Sequence, residues 1–202
     1  MQGSWVMNFD TVTEFENKIA EFYGAPYAIA IDSCTHGLEI SLRNENYSDI
    51  TIPTRTYPSV AFLPQKLNLN LVWNEKEWKD YYYIGGTNII DAAVFWKKGG
   101  YIPGTYMCLS FQFQTHLSLG RGGMILVDNK DTFDTLKKMS YDGRAHGIPW
   151  RDQNLDTVGY HYYMTPETAQ LGLDKLPEAI EKTPRQWEWT DWPDLRNMEV
   201  FK

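Results

Sequence analysis

Cysteine is almost missing from this chain: Cys34 and Cys108 are the only two among 202 residues. They form no CxxC pair, so neither a thiolate zinc site nor a disulfide framework is indicated. No apolar run is long enough to cross a bilayer, and residues 1–22 lack the apolar core of a secretory leader. Basic residues are outnumbered, 19 against 26 acidic, for a formal charge of −7. That balance argues against a nucleic-acid partner, because phosphate backbones are gripped by clusters of Lys and Arg. A GxGxxG or Walker pattern is absent after the first strand, which disfavours a plain nucleotide-binding protein. The four histidines, His36, His116, His146 and His161, have no HxxxH or carboxylate-triad spacing, so no metal is expected. The expectation is a cytoplasmic globular protein with no membrane or nucleic-acid partner.

What is present is ordinary in amount and ordered in pattern. With 43% hydrophobic and 22% charged residues, the chain can bury one core. Val12, Phe15, Ile19 and Phe22 recur at helical spacing and predict a helix over 11–23, stopped by Gly24. Tyr27 to Ile31 is a short apolar run, read as a buried strand. It passes through Asp32-Ser33-Cys34-Thr35 into a helical pattern: strand, polar turn, helix.

Further strands are predicted at 50–53, 67–73, 88–91, 106–111 and 124–127, and helices at 58–66, 131–139 and 164–180. The fold class this implies is α/β, a three-layer arrangement with a mostly parallel sheet and helices on both faces. Residues 1–183 would form that domain. Residues 184–202 (RQWEWTDWPDLRNMEVFK after Pro184) are acidic, aromatic and non-periodic: a tail docked on the body, or a partner contact.

Four segments can carry chemistry. Asp32 to Gly37 joins a strand to a helix, where unpaired N–H groups suit a phosphate, although Ser33 or Thr35 could simply cap the helix. Ile90-Asp91-Ala92-Ala93 ends a strand in an acid with small neighbours, which suits a flat ring or merely a turn. Ser110 to Gly123 runs from a strand through a Gly-rich turn, whose glycines permit close backbone approach. Gly159 to Met164 precedes the last helix.

In this order the segments resemble the DegT/DnrJ/EryC1/StrS family, sugar-nucleotide aminotransferases and related dehydratases that use pyridoxal phosphate (PLP). The family's opening pattern is similar to Phe15-Glu16 through Leu38. Its VPSFTF resembles Ile52 to Tyr57, and its EDAAQ resembles Ile90 to Val94. Its SFxxxKxLxxGxGG resembles Ser110 to Gly123, and its GYNYRM resembles Gly159 to Met164. The resemblance implies that Thr35, His36 and Ser110 hold the PLP phosphate. It implies that Tyr57 stacks on the ring and that Asp91 pairs with the ring nitrogen, keeping it an electron sink. His161 stands where the family reaches a neighbouring subunit's cofactor, which implies a homodimer.

The chain also departs from this pattern. The Schiff-base lysine position is Thr115, which can neither form that bond nor serve as the mobile amine base. One branch, the ketodeoxysugar dehydratases, carries histidine there; here His116 lies one residue beyond and is the candidate base. Between Trp73 and Asp91 the family has a further helix and strand, where this chain has only residues 74–88. A small domain that follows the last helix in the family is not among these residues. Two functions stay open. One is an enzyme on nucleotide sugars that holds PLP or pyridoxamine phosphate (PMP) non-covalently. The other is a non-catalytic relative acting as a binding or dimerisation module.

Overall fold

The computed structural model describes residues 7–202; the part of the leader reading that falls on residues 1–6 lies outside them. Seven strands form the frame: β1 (Tyr27–Ile31), β2 (Asp49–Pro53), β3 (Asn70–Asn74), β4 (Tyr82–Tyr83), β5 (Ile89–Asp91), β6 (Tyr106–Ser110) and β7 (Gly123–Val127). Six helices accompany them: α1 (Asp10–Tyr23), α2 (Cys34–Asn44), α3 (Pro58–Ala61), α4 (Leu63–Leu67), α5 (Lys130–Ser140) and α6 (Pro166–Glu181).

Side-chain alternation explains the layering. On β1, Ala28 and Ala30 face a core built with Phe15 and Ile19 of α1 and Ala169 and Leu176 of α6. Ile29 and Ile31 face the opposite core, with Leu38 and Ile40 of α2 and Leu136 of α5. The same split holds on β7, where Met124 and Leu126 oppose Ile125 and Val127. Strands buried on both faces read as unbroken apolar runs, as the sequence of β1 and β7 does. The three-layer α/β expectation therefore stands.

The strand directions need a finer statement. The main sheet has the order β1-β7-β6-β5-β4, with β2 and β3 pairing separately in parallel. Only β5 and β6 pair in parallel within the main sheet; its other three pairings are antiparallel. An antiparallel bridge from Thr51 to Gly85 links β2 to the end of the β4 segment. Tracing these pairings, β1, β2, β3, β5 and β6 run one way, while β4 and β7 run the other. The "mostly parallel" expectation holds for direction but not for neighbours, because the two reversed strands stand between the others.

Local chemistry accounts for the remaining differences. The helix expected over 58–66 is two short helices, because Pro64, in the first turn of α4, cannot donate an N–H to a continuing turn. The strand expected from residue 67 begins at Asn70, since Asn68 ends α4 in the left-handed region (φ 56°). β4 went unpredicted: two residues are too few for any periodicity.

The C-terminal segment packs on the body. Leu195 is fully buried, and its N–H donates to the Thr54 carbonyl at 2.8 Å. Arg55 Nη1 donates to the Trp192 carbonyl at 2.7 Å, and Phe201 stacks on Phe62. No helix among the described residues is long and apolar enough to cross a membrane.

Candidate functional site

A cavity of about 460 Å3 opens at the carboxyl edge of the sheet. The ends of β5 and β6, the segment after β2, and the start of α2 converge on it, which is where ligands bind in open α/β sheets. Its wall includes Ser33, Thr35, His36, Tyr57, Asp91, Ser110 and Thr115. Six of the eight sequence-derived site residues therefore meet in one place.

The start of α2 forms one side. Ser33 caps the helix, its Oγ accepting the His36 N–H at 3.2 Å. The N–H groups of Cys34 and Thr35, in the first turn, have no partner within the helix and carry its partial positive charge. Gly123 lets β7 pass directly behind this turn: a Cβ there would lie 2.6 Å from the Cys34 nitrogen. The Thr35 hydroxyl bonds the Ser59 hydroxyl at 2.6 Å. His36 differs from expectation, because its N–H serves the cap. Its ring is fixed by Asp32 (Nδ1 to Oδ1, 2.6 Å) and by a face-to-face stack on Tyr162. Arg121, largely exposed on the cavity wall, pairs with the other oxygen of Asp32 at 2.7 Å.

Asp91 forms the floor. It is buried at 5% exposure, and its Oδ1 accepts the Ala93 N–H at 3.0 Å. Its Oδ2 accepts the Tyr82 hydroxyl at 2.6 Å, and Cys34 Sγ lies 3.8 Å from Oδ1. Burial raises the Asp91 carboxyl above its usual range, against the opposing pull of the bonds from Tyr82, Ala93 and Cys34. Burial also pushes the Tyr82 phenol and Cys34 thiol well up, and the nearby Asp91 charge adds to both shifts. Both groups therefore stay protonated and remain donors.

Tyr57 is 52% exposed at the mouth, beside Trp78, Phe113, Trp187 and Trp192. Thr115 lies in the wall, its hydroxyl within reach of the carbonyls of Gln112 (2.8 Å) and Leu117 (3.1 Å). No lysine lines the cavity.

Two predicted residues stand elsewhere. His116 turns away from the main cavity: its Nε2 bonds the Ala179 carbonyl of α6 at 2.7 Å, and its ring lies against Trp96. Held there, it secures α6 and is not positioned as a base in the cavity. His161 is on the surface beside Asp142, 3.1 Å away, and its backbone bridges to Tyr141.

Sequence reasoning missed Tyr82, Thr56, Trp78, Trp187 and Trp192 as parts of the wall. The triplet Tyr81-Tyr82-Tyr83 carried a faint signal: alternation sends Tyr82 to the opposite face from its neighbours. Tyr81 and Tyr83 contact each other, while Tyr82 meets Trp78.

The same fold recurs in solved structures, sugar aminotransferases among them. AtS13 from Actinomadura melliaura superposes with a TM-score of 0.76 at 18% identity, covering 88% of this chain and 62% of that one. Spr1654 from Streptococcus pneumoniae, in its PLP form, gives 0.71 at 15% identity, covering 89% and 62%. The chain belongs to the DegT/DnrJ/EryC1/StrS aminotransferase family, whose model matches residues 1–82 and 96–190. The match passes over residues 83–95, the segment that holds Asp91. GDP-perosamine synthase of Escherichia coli O157:H7 is 23% identical over 238 aligned positions, covering 95% of this chain and 64% of that protein. Those positions outnumber the chain's own 202 residues, so the relative carries segments that this chain skips. The chain spans about three fifths of the length of the curated relatives it matches.

Proposed function

We propose that this protein binds PLP or PMP reversibly, without a covalent link, in the cavity at the edge of its sheet. One observation carries the reading: the start of α2, a buried strand-end acid and an exposed tyrosine face one space whose wall contains Thr115 and no lysine. The donor set fits a phosphorylated pyridine. The N–H groups of Cys34 and Thr35 and the hydroxyls of Thr35 and Ser110 would hold the phosphate. The Tyr57 ring would cover the pyridine face. Asp91, its carboxyl raised by burial, would accept a hydrogen bond from the protonated ring nitrogen.

When bound, such a group draws electrons from the carbon attached to its amine. Asp91 would hold the ring proton in place, and the aromatic rings at the mouth would exclude water. No side chain in the wall is a primary amine that could carry the cofactor or shuttle a proton as lysine does. The reading therefore favours the amine form, PMP, as the resident ligand. Family membership supports a nucleotide sugar as the molecule presented to it. His161 and Asp142, on the surface, are proposed to face a second copy of the chain.

The test is titration of purified protein with PMP and PLP, followed by absorbance and calorimetry. Saturable one-site binding, weakened about tenfold or more by Asp91→Asn, is expected from loss of a charge-assisted hydrogen bond. Protein that binds neither ligand sinks the reading.

A further inference from the structure

Tyr82 belongs to β4, the short strand within the connection of residues 75–88 between β3 and β5. In the register of β4 and β5, Tyr82 lies directly opposite Asp91. Cross-strand partners share a face, so the phenol reaches the carboxylate without leaving the sheet. Its hydroxyl donates to Oδ2 at 2.6 Å and lies 2.5 Å from the buried Thr56 hydroxyl. With Tyr82 donating to Asp91, the Thr56 hydroxyl donates to Tyr82, and the three form a directed chain.

The ring is held as firmly as the hydroxyl. Trp78 packs against it with centroids 4.8 Å apart, and Trp78 Nε1 donates to the Arg55 carbonyl at 2.8 Å. Trp192 of the C-terminal segment packs on Trp78, also at 4.8 Å. Arg55 in turn binds the Trp192 carbonyl. The contacts run unbroken from the C-terminal segment through Trp78 and Tyr82 to the floor of the cavity.

We propose that Tyr82 is a positioning residue that fixes the Asp91 carboxylate for pairing with a protonated ring nitrogen, and that Trp192 fixes Tyr82 through Trp78. The inference rests on the ligand reading above and assigns its orientation to two residues that need not touch the ring nitrogen. A tyrosine held at its ring by Trp78 and at its hydroxyl by Thr56 leaves Asp91 one arrangement, with Oδ2 spent on the phenol. Removal of the hydroxyl alone, as in Tyr82→Phe, keeps the ring packing and frees the carboxylate to turn.

The experiment compares PMP with its deaza counterpart, in which a C–H replaces the ring nitrogen, on full-length protein. Both ligands share phosphate, amine and ring shape, so general damage to the cavity changes both affinities together. Wild type is expected to prefer PMP by about tenfold or more, and Asp91→Asn to abolish the preference. Tyr82→Phe should reduce the preference by about threefold or more, as should Trp192→Ala, with Trp192→Phe restoring most of it. A Tyr82→Phe protein with the wild-type preference overturns the role of Tyr82. A Trp192→Ala protein with that preference overturns the role of the C-terminal segment. If wild type shows no preference, or Asp91→Asn leaves it intact, the Asp91 pairing fails first and takes this inference with it. Melting curves identify a variant that does not fold; if Tyr82→Phe is that variant, the Trp192 pair decides the matter alone.

Discussion

The Thr115 hydroxyl is 2.8 Å from the Gln112 carbonyl, tying back the turn that follows β6. This bond uses the side chain within its own loop, so the position that carries an amine in the family pattern here serves the backbone. Thr115 is nonetheless part of the cavity wall, at 8% exposure.

Thr115→Lys should therefore restore covalent capture. Incubation with PLP and reduction with borohydride should attach the cofactor to residue 115 of the variant and leave the cavity of wild type unlabelled. Peptide mass spectrometry reads the result. Labelling of wild type within the cavity, or of the variant only at surface lysines, would contradict the geometry.

Asp91 should impose a pH dependence on stability with a definite sign. Its folded pKa is raised by burial, so the stability it contributes is complete below the unfolded carboxylate value and declines as pH rises through the folded one. Asparagine carries no such dependence. The melting temperature of Asp91→Asn relative to wild type should accordingly climb as pH rises above the unfolded carboxylate value of about 4. A difference that stays flat or shrinks with rising pH excludes the raised carboxyl.

Gly172 on α6 should tolerate no methyl. A Cβ there would lie 2.6 Å from the ring of Phe15, which is fully buried and backed by Phe111. In an open helix Gly→Ala gains about 1 kcal/mol. Here overpacking costs about 1–3 kcal/mol, enough to cancel or reverse the gain. Gly172→Ala should melt no higher than wild type, and combination with Phe15→Leu should recover part of any loss. A clear rise in melting temperature for the single variant means that α1 and α6 do not meet this closely.

Much of the frame was legible because its signals are local. β1 and β7 are apolar throughout, α1 has an unbroken helical stripe, and α6 announces itself with a Thr165 cap and Pro166. Five of the eight site residues, Thr35, His36, Tyr57, Asp91 and Ser110, sit at strand ends or helix starts, positions that motif order alone can assign. His116 was not legible in this way. Its neighbour Thr115 faces the cavity while His116 faces α6, and only three-dimensional packing separates adjacent residues of an irregular turn. Nor were Trp187 and Trp192, because they join the wall through a non-periodic segment fastened by Arg55 and Leu195. The reversed direction of β4 escaped for the same reason: its partner, not its own two residues, defines it.

The pairing of β1 with β7 has a consequence for how the chain is made. Ile31 is bonded across the sheet to Gly123, and α1 rests on α6. A nascent chain leaving the ribosome must keep the first strand unpartnered while residues 32–122 are synthesised. Contacts so distant along the chain slow folding and prolong exposure of adhesive edges. Production of this protein should respond to chaperone supply and to the pace of translation more than a bundle of local helices would.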